Sequence, residues 1–362
     1  MPHKKPFVVI VVLLLLITIV QYSFSFSPGA VSVYSRCIFY PFQYLRNNLF
    51  SIVTVSVGDI LYILASIMLI VLLGRWIYYL AKWKTHRQLL LRSLLRFFLS
   101  AGIMYLWFFA GWGGNYAKPS LAEHWQMPLG RDLEQDSALI QFDLFLIARL
   151  EEYAPRFKGR PFRETEQLCR DNYYHIPATA AKARLTRIKP AVFGNLLEYS
   201  GIQGYYNPFT GEGQLNAQLP DFLSPFVISH EMAHQMGIAA EQDANLLAYI
   251  ACTESGDADL RYSAYLNVWL YTNGKLRGRD STLANEMRAR LNPVSRRHLE
   301  VLRARHRKYR SPVSRLSNLF YDNFLKLNQQ ERGLESYEDV VNTAYAWEQK
   351  RLRGDRSPGS IP

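Results

Sequence analysis

Apolar residues follow two regimes along this chain. Up to about residue 112 they come in long runs, and beyond it they recur at helical spacing among charges. From Phe7 to Val20 only Thr18 interrupts the first run, which Tyr22 and Phe24 extend. Two further runs cover residues 55–79 and 94–112, and each of the three is long enough to cross the hydrocarbon core of a bilayer. The pattern predicts transmembrane helices over 7–24, 55–79 and 94–112. The first is read as uncleaved, because more apolar segments follow and no small-x-small cleavage site stands out. Residues 25–54 read as a loop whose aromatic middle, 37–50, lies along a membrane surface. Asp59 is expected at the membrane interface, and Trp107 and Trp112 suit an interfacial belt.

The remainder, 114–362, reads as an α-rich soluble domain. Helical periodicity covers 133–153, 161–174 and 178–186, and a helical tail runs to about residue 353. Residues 187–219 mix apolar and turn residues, which predicts short strands, with Gln214-Leu215-Asn216 either an edge strand able to pair with an extended substrate or part of an ordinary hairpin packed on the next helix. Residues 357–362 read as a frayed end.

Charge orients this arrangement. The chain of 362 residues carries a net charge of +12. Lys4 and Lys5 precede the first run, Lys82, Lys84, Arg87 and Arg92 lie between the second and third, and Arg96 stands at the start of the third. The positive-inside rule puts both clusters on the cytoplasmic face and the domain after Gly113 on the outer face, in a cell membrane. Anionic lipid headgroups account for the basic balance, and no nucleic-acid module is recognisable. The basic tail, including Arg296, Arg297, Arg303, Arg305, Arg307, Lys308 and Arg310, reads as a solvated helix face. Three cysteines, Cys37, Cys169 and Cys252, make no disulfide framework and no zinc spacing, with a Cys169–Cys252 bridge left open.

The chemistry concentrates in Ser224-Pro225-Phe226-Val227-Ile228-Ser229-His230-Glu231-Met232-Ala233-His234-Gln235-Met236-Gly237. Ser224 is the expected N-cap, Pro225 suits the first helical position and Gly237 stops the helix. Within it stands His-Glu-x-x-His. Residues four apart share a helix face, so His230 and His234 can offer both imidazoles to one zinc ion, and Glu231 is placed to take a proton from water. The next segment, Glu241-Gln242-Asp243-Ala244-Asn245, reads as the start of a second helix folding back past Gly237. Glu241 is the expected third ligand, six residues after His234, with Asp243 or Glu254 as alternatives. Two histidines and one carboxylate leave a fourth position open, the arrangement of a catalytic zinc. Asn245 is expected to orient a ligand from the outer shell, and Tyr206 or Tyr262 to stabilise an oxyanion.

Gly204-Tyr-Tyr-Asn-Pro-Phe-Thr-Gly-Glu212, His230-Glu-Met-Ala-His-Gln-Met-Gly237, Glu241-Gln-Asp-Ala-Asn245 and Tyr321-Asp-Asn-Phe-Leu-Lys-Leu-Asn328, behind three N-terminal spans, resemble an uncharacterised bacterial family, DUF3810. Its site is similar to that of the zincin metallopeptidases. The resemblance implies a zincin-like α+β domain with a small sheet before the motif helix, and a zinc-dependent peptidase acting on a peptide or protein of the cell envelope. The rival is a membrane scaffold or regulatory protein with a structural or vestigial metal site. A hydrolase of non-peptide bonds would use the same ligands.

Overall fold

The computed structural model describes residues 27–127, 132–310 and 339–354, with isolated positions near the N-terminus and at 312. Of the first expected span, 7–24, residues 8, 9, 11, 12 and 15–19 are described and helical, and the rest lie outside the described residues. So do the motif residues 321–328 and the expected frayed end, 357–362. The chain is mainly helical with one three-stranded sheet. It divides into two compact units, one of Met1–Lys118 with Asn207–Gly211, the other of Pro119–Tyr206 with Glu212–Pro362.

In the first unit, residues 25–54 are not the expected loop. After helical turns at Pro28–Tyr34 and Ser35–Phe39 comes helix α1, Tyr40–Ser51. The segment lacks an interior helix breaker once Pro41 sits in the first turn, where proline is tolerated. Helix α2, Val57–Ala81, begins at Ser56, whose hydroxyl accepts from the Asp59 amide. Asp59 is buried rather than interfacial. Helix α3, Trp83–Gly111, follows after Lys82 alone. The basic stretch expected as a loop is therefore its first turns, since Lys, Arg, Gln and Leu all favour helix and nothing there breaks it. The two helices pair through Trp76, whose indole donates to Ser93 Oγ at 2.9 Å and meets Phe97 edge-on at 5.3 Å. Both are long and apolar enough to cross a membrane. Their outer faces leave Ile67, Ile70, Ile77 and Ile103 exposed.

The second unit is built around a buried hairpin of two helices. Helices α4 (Asp136–Tyr153) and α5 (Phe162–His175) precede strands β1 (Ile188–Pro190), β2 (Gly204–Tyr206) and β3 (Gly213–Leu215). Then follow α6 (Ser224–Gln235), α7 (Glu241–Glu254), α8 (Ala258–Arg279), α9 (Ser281–Ala289), α10 (Pro293–Tyr309) and α11 (Asp339–Leu352). The helix expected over 178–186 shortens to Ala180–Ala183, flanked by Thr179 and Thr186, whose hydroxyls bind carbonyls locally instead. Every residue of α6 is buried. Phe226, Ile228, Met232 and Ala233 make it apolar on all sides, as a central helix must be. It packs against α5, α7, α8 and the sheet.

Two local expectations are corrected here. The helix begins with Ser224 inside it and Leu223 at the cap position, while Ser224 Oγ donates to the Pro220 carbonyl at 3.1 Å. Its terminal amide at Phe226 is satisfied from α8, by Ser263 Oγ at 3.1 Å. The sheet order is β1-β3-β2, with β1 parallel and β2 antiparallel to β3. Gln214 and Leu215 therefore lie on the central strand, with both edges paired, and are not the edge expected for substrate. The Cys169–Cys252 bridge that the sequence left open is not formed, both thiols being free and buried. The Pro225 carbonyl accepts from Cys169 at 3.5 Å, and Cys252 pairs with Ser229 Oγ at 3.3 Å.

A carboxylate on α4 gives this core a pH dependence. Asp143 is fully buried, and burial pushes its pKa up to about 7 against hydrogen bonds from Trp269 and Asn273. A carboxyl whose pKa rises on folding stabilises the fold while it keeps its proton and loses that contribution as pH rises through the folded value. The unit is therefore expected to lose about 2–4 kcal/mol between pH 4 and 8 from this group. Asp143→Asn should flatten that slope in denaturant unfolding followed from pH 5 to 8. An unchanged slope would mean that Asp143 is ionised in the folded chain.

Candidate metal centre

The C-terminal turn of α6 sets the site. Gly237 adopts φ +88°, a left-handed value that suits glycine. Its amide donates to the His234 carbonyl at 2.8 Å, and the Ile238 amide donates to Ala233 at 3.2 Å, closing a Schellman motif. The reversal brings the start of α7 back onto the last turn of α6. The same turn presents the Ile238 carbonyl, which accepts from His234 Nδ1 at 2.7 Å. That bond fixes the ring and leaves Nε2 for a ligand.

Three side chains converge there. His230 Nε2 and His234 Nε2 stand 3.1 Å apart. Glu241 Oε2 lies 3.2 Å from His230 Nε2, and Glu241 Oε1 lies 3.6 Å from His234 Nε2. All three residues are buried, and among the described residues they form the cluster able to hold a metal. Ligands about 2.0–2.1 Å from a tetrahedral zinc stand about 3.3 Å from one another, so these separations fit that ion. The electrostatics also fit. Burial opposes charge on His234, yet the adjacent Glu241 carboxylate outweighs it and holds that imidazole above its ordinary pKa. Burial likewise opposes charge on Glu241, but His234 and the hydrogen bonds from both rings keep it ionised, well below the ordinary range. Each partner thus favours charge on the other, and a metal would bind in competition with the His234 proton. His230, burdened by burial and by its cationic neighbour despite the Glu241 hydrogen bond, is held below its ordinary value.

Glu231 stands beside this group but outside it. Burial, with the Glu241 charge, pushes its pKa up to about 8, against the pull of His234. Its Oε2 is buried with no hydrogen-bond partner among the described residues. Asn245, one turn beyond Glu241, adjoins the His230 ring. Of the two expected tyrosines, the structure brings Tyr206 near, its ring centroid 6.4 Å from that of His234. The Tyr262 hydroxyl is engaged elsewhere. It pairs with His298 Nδ1 at 2.7 Å and with Ser295 Oγ at 3.2 Å. The alternative ligands also fall away. Asp243 receives the Leu121 amide, and Glu254 pairs with Arg351 Nε at 3.0 Å.

Sequence reasoning missed the groups that seat the sheet on α6. A Cβ at Gly204 would lie 2.7 Å from Glu231 Oε1, and one at Gly213 would lie 2.5 Å from Ile188 Cδ1 and 3.5 Å from Glu231 Cβ. A side chain at either position would press on Glu231 or Ile188, so glycine eases this close approach. Gln235 ties the helix to the start of β1, accepting from the Arg187 amide at 2.8 Å and donating to its carbonyl at 3.0 Å. The glycines around 201–213 were the available signal, and they were read as turns. Tyr271 on α8 lies within the field of Glu241, and burial with that charge raises its phenol to about 12.

Residues 34–345 match the family described as protein of unknown function, DUF3810. The chain belongs to that family. The match takes in both long apolar helices, the sheet and the whole candidate centre. No curated protein and no solved structure matches this DUF3810 chain.

Proposed function

We propose that this DUF3810 protein is a membrane-anchored zinc-dependent peptidase acting on peptide bonds in the cell envelope. One observation carries the reading. Two imidazole nitrogens and a carboxylate converge at zinc-ligand spacing, with a second carboxylate beside them that is buried and, among the described residues, unpartnered at Oε2. An unpaired buried oxygen costs about 1–3 kcal/mol, and a purely structural site gains nothing from it. That argues against the scaffold reading.

His230, His234 and Glu241 would hold the ion. When bound, zinc supplies a Lewis acid that polarises a scissile carbonyl and acidifies water. Glu231 accepts the proton from water and returns it to the departing amine. Asn245 steadies the His230 ring, and the Ile238 carbonyl fixes the His234 tautomer. Tyr206 is the remaining oxyanion candidate. The small sheet before the motif helix suits a zincin-like domain, with β2 rather than β3 as the strand able to meet an extended substrate.

Zinc-loaded full-length protein in detergent should cleave a peptide library, and a chelator should stop it. Zinc binding without cleavage would favour the scaffold.

The membrane reading extends the two described apolar helices to three spans, with residues 114–362 outside the cytoplasm. The exposed isoleucines of α2 and α3 suit acyl chains. Reporter fusions after Lys84 and after Tyr116 should give opposite topological answers. A C-terminal reporter active only in the cytoplasm would reverse the orientation and remove the envelope substrate.

A further inference from the structure

The loop that joins β2 to β3 is grouped apart from the strands it joins. Residues Asn207–Gly211 belong with the helices of the first unit, while Tyr206 and Glu212 on either side belong to the second. The loop is closed on itself. Asn207 Oδ1 accepts from the amides of Phe209 and Thr210 at 3.0 and 3.1 Å, and the Asn207 carbonyl accepts from Gly211 at 2.8 Å. Gly211 has φ +71°.

Two buried side chains of α1 then grip it. Gln43 Nε2 donates to the Gly211 carbonyl at 2.8 Å, and Arg46 Nη1 donates to the Pro208 carbonyl at 2.5 Å. The second Arg46 nitrogen, Nη2, donates to Gln43 Oε1 at 2.7 Å and to the Gly111 carbonyl at the end of α3 at 2.9 Å. Space is as tight as the bonding. A Cβ at Gly58, in the first turn of α2, would lie 2.4 Å from Asn207 Nδ2, and one at Gly111 would lie 3.0 Å from Arg46 Nη1. Three helices of the unit that carries the apolar spans thus converge on five residues. Charge-assisted bonds from a buried guanidinium are the strong kind.

The chain leaving this socket runs directly into the site. Immediately before it, Tyr206 faces His234, and two residues after it Gly213 lies against Glu231, as Gly204 does from β2. From these contacts we infer that Gln43 and Arg46 are positioning residues, which fix the β2–β3 hairpin against Glu231 by holding its tip. The kinetic consequence rests on the peptidase reading, whereas the structural one does not.

The test uses full-length protein in detergent, with Gln43→Ala, Arg46→Met and Arg46→Lys. Amide exchange over residues 204–215 should quicken about tenfold or more in Gln43→Ala and Arg46→Met. Zinc affinity should stay within about twofold, because the ligands sit on α6 and α7. Turnover per zinc-loaded chain should fall about 10- to 100-fold in kcat with KM little changed, and Arg46→Lys should recover part of it. If Arg46→Met does not fold, Gln43→Ala decides. Unchanged exchange across the hairpin in a folded Gln43→Ala overturns the inference. Wild-type protein that turns over nothing sinks the peptidase reading instead, and the exchange result still decides the clamp.

Discussion

Replacing Glu231 by Gln is expected to leave zinc bound while lowering turnover about 10²- to 10⁴-fold. The substitution keeps the shape of the side chain, so Gly204 and Gly213 still pack against it. The three ligand atoms are untouched, since none belongs to Glu231. On the peptidase reading, what disappears is the proton acceptor. In the wild-type chain burial pushes the Glu231 carboxyl up to about 8, and on the proposed mechanism this group takes the proton from water. An amide cannot do this. Metal analysis and peptide turnover on the same preparations decide the outcome, and full activity in Glu231→Gln would remove this residue from the mechanism.

Glu241→Ala should have the opposite signature, with zinc itself lost. On the proposed reading Glu241 would contribute the one anionic ligand, and its oxygens lie 3.2 Å from His230 Nε2 and 3.6 Å from His234 Nε2. It also holds the His234 imidazole in place electrostatically. Removing a partner from the outer shell of a metal site costs about 10–100-fold in affinity, and a charged direct ligand should cost more. Competition with a fluorescent chelator measures this. Wild-type affinity in Glu241→Ala would require another third ligand, yet Asp243 faces the Leu121 amide and Glu254 faces Arg351. The protein should remain folded, because the core around Leu146, Leu150, Tyr249 and Trp269 lies in contacts the carboxylate does not make.

The site was legible in the sequence to the extent that its determinants are local. The spacing of His230 and His234 is one helical turn, and Gly237 signals the reversal that brings Glu241 back. Both depend on residues within a dozen positions of each other. What the sequence concealed depends on distant partners. Tyr262 is captured by His298, 36 residues on, and the Phe226 amide is capped by Ser263, 37 residues on. β3 became central because β1, drawn from 25 positions earlier in register, pairs with it in parallel. The socket for Asn207–Gly211 lies 168 residues away at Gln43, in a segment whose aromatic composition had read as loop. Helix ends were misjudged for a related reason. Hydropathy marks where α3 becomes apolar at about Leu94, whereas the helix starts at Trp83, because basic residues propagate a helix as well as apolar ones do.

The measurement closest to the central claim is the metal content of the full-length protein, purified without added chelator and analysed by mass spectrometry for zinc per chain. Because Asn207–Gly211 belongs with the helical unit, the whole chain is the proper sample. The site described here predicts about one zinc per chain in the wild type and essentially none in His230→Ala or His234→Ala. A folded wild-type chain that carries no zinc and takes up none when it is supplied would contradict it.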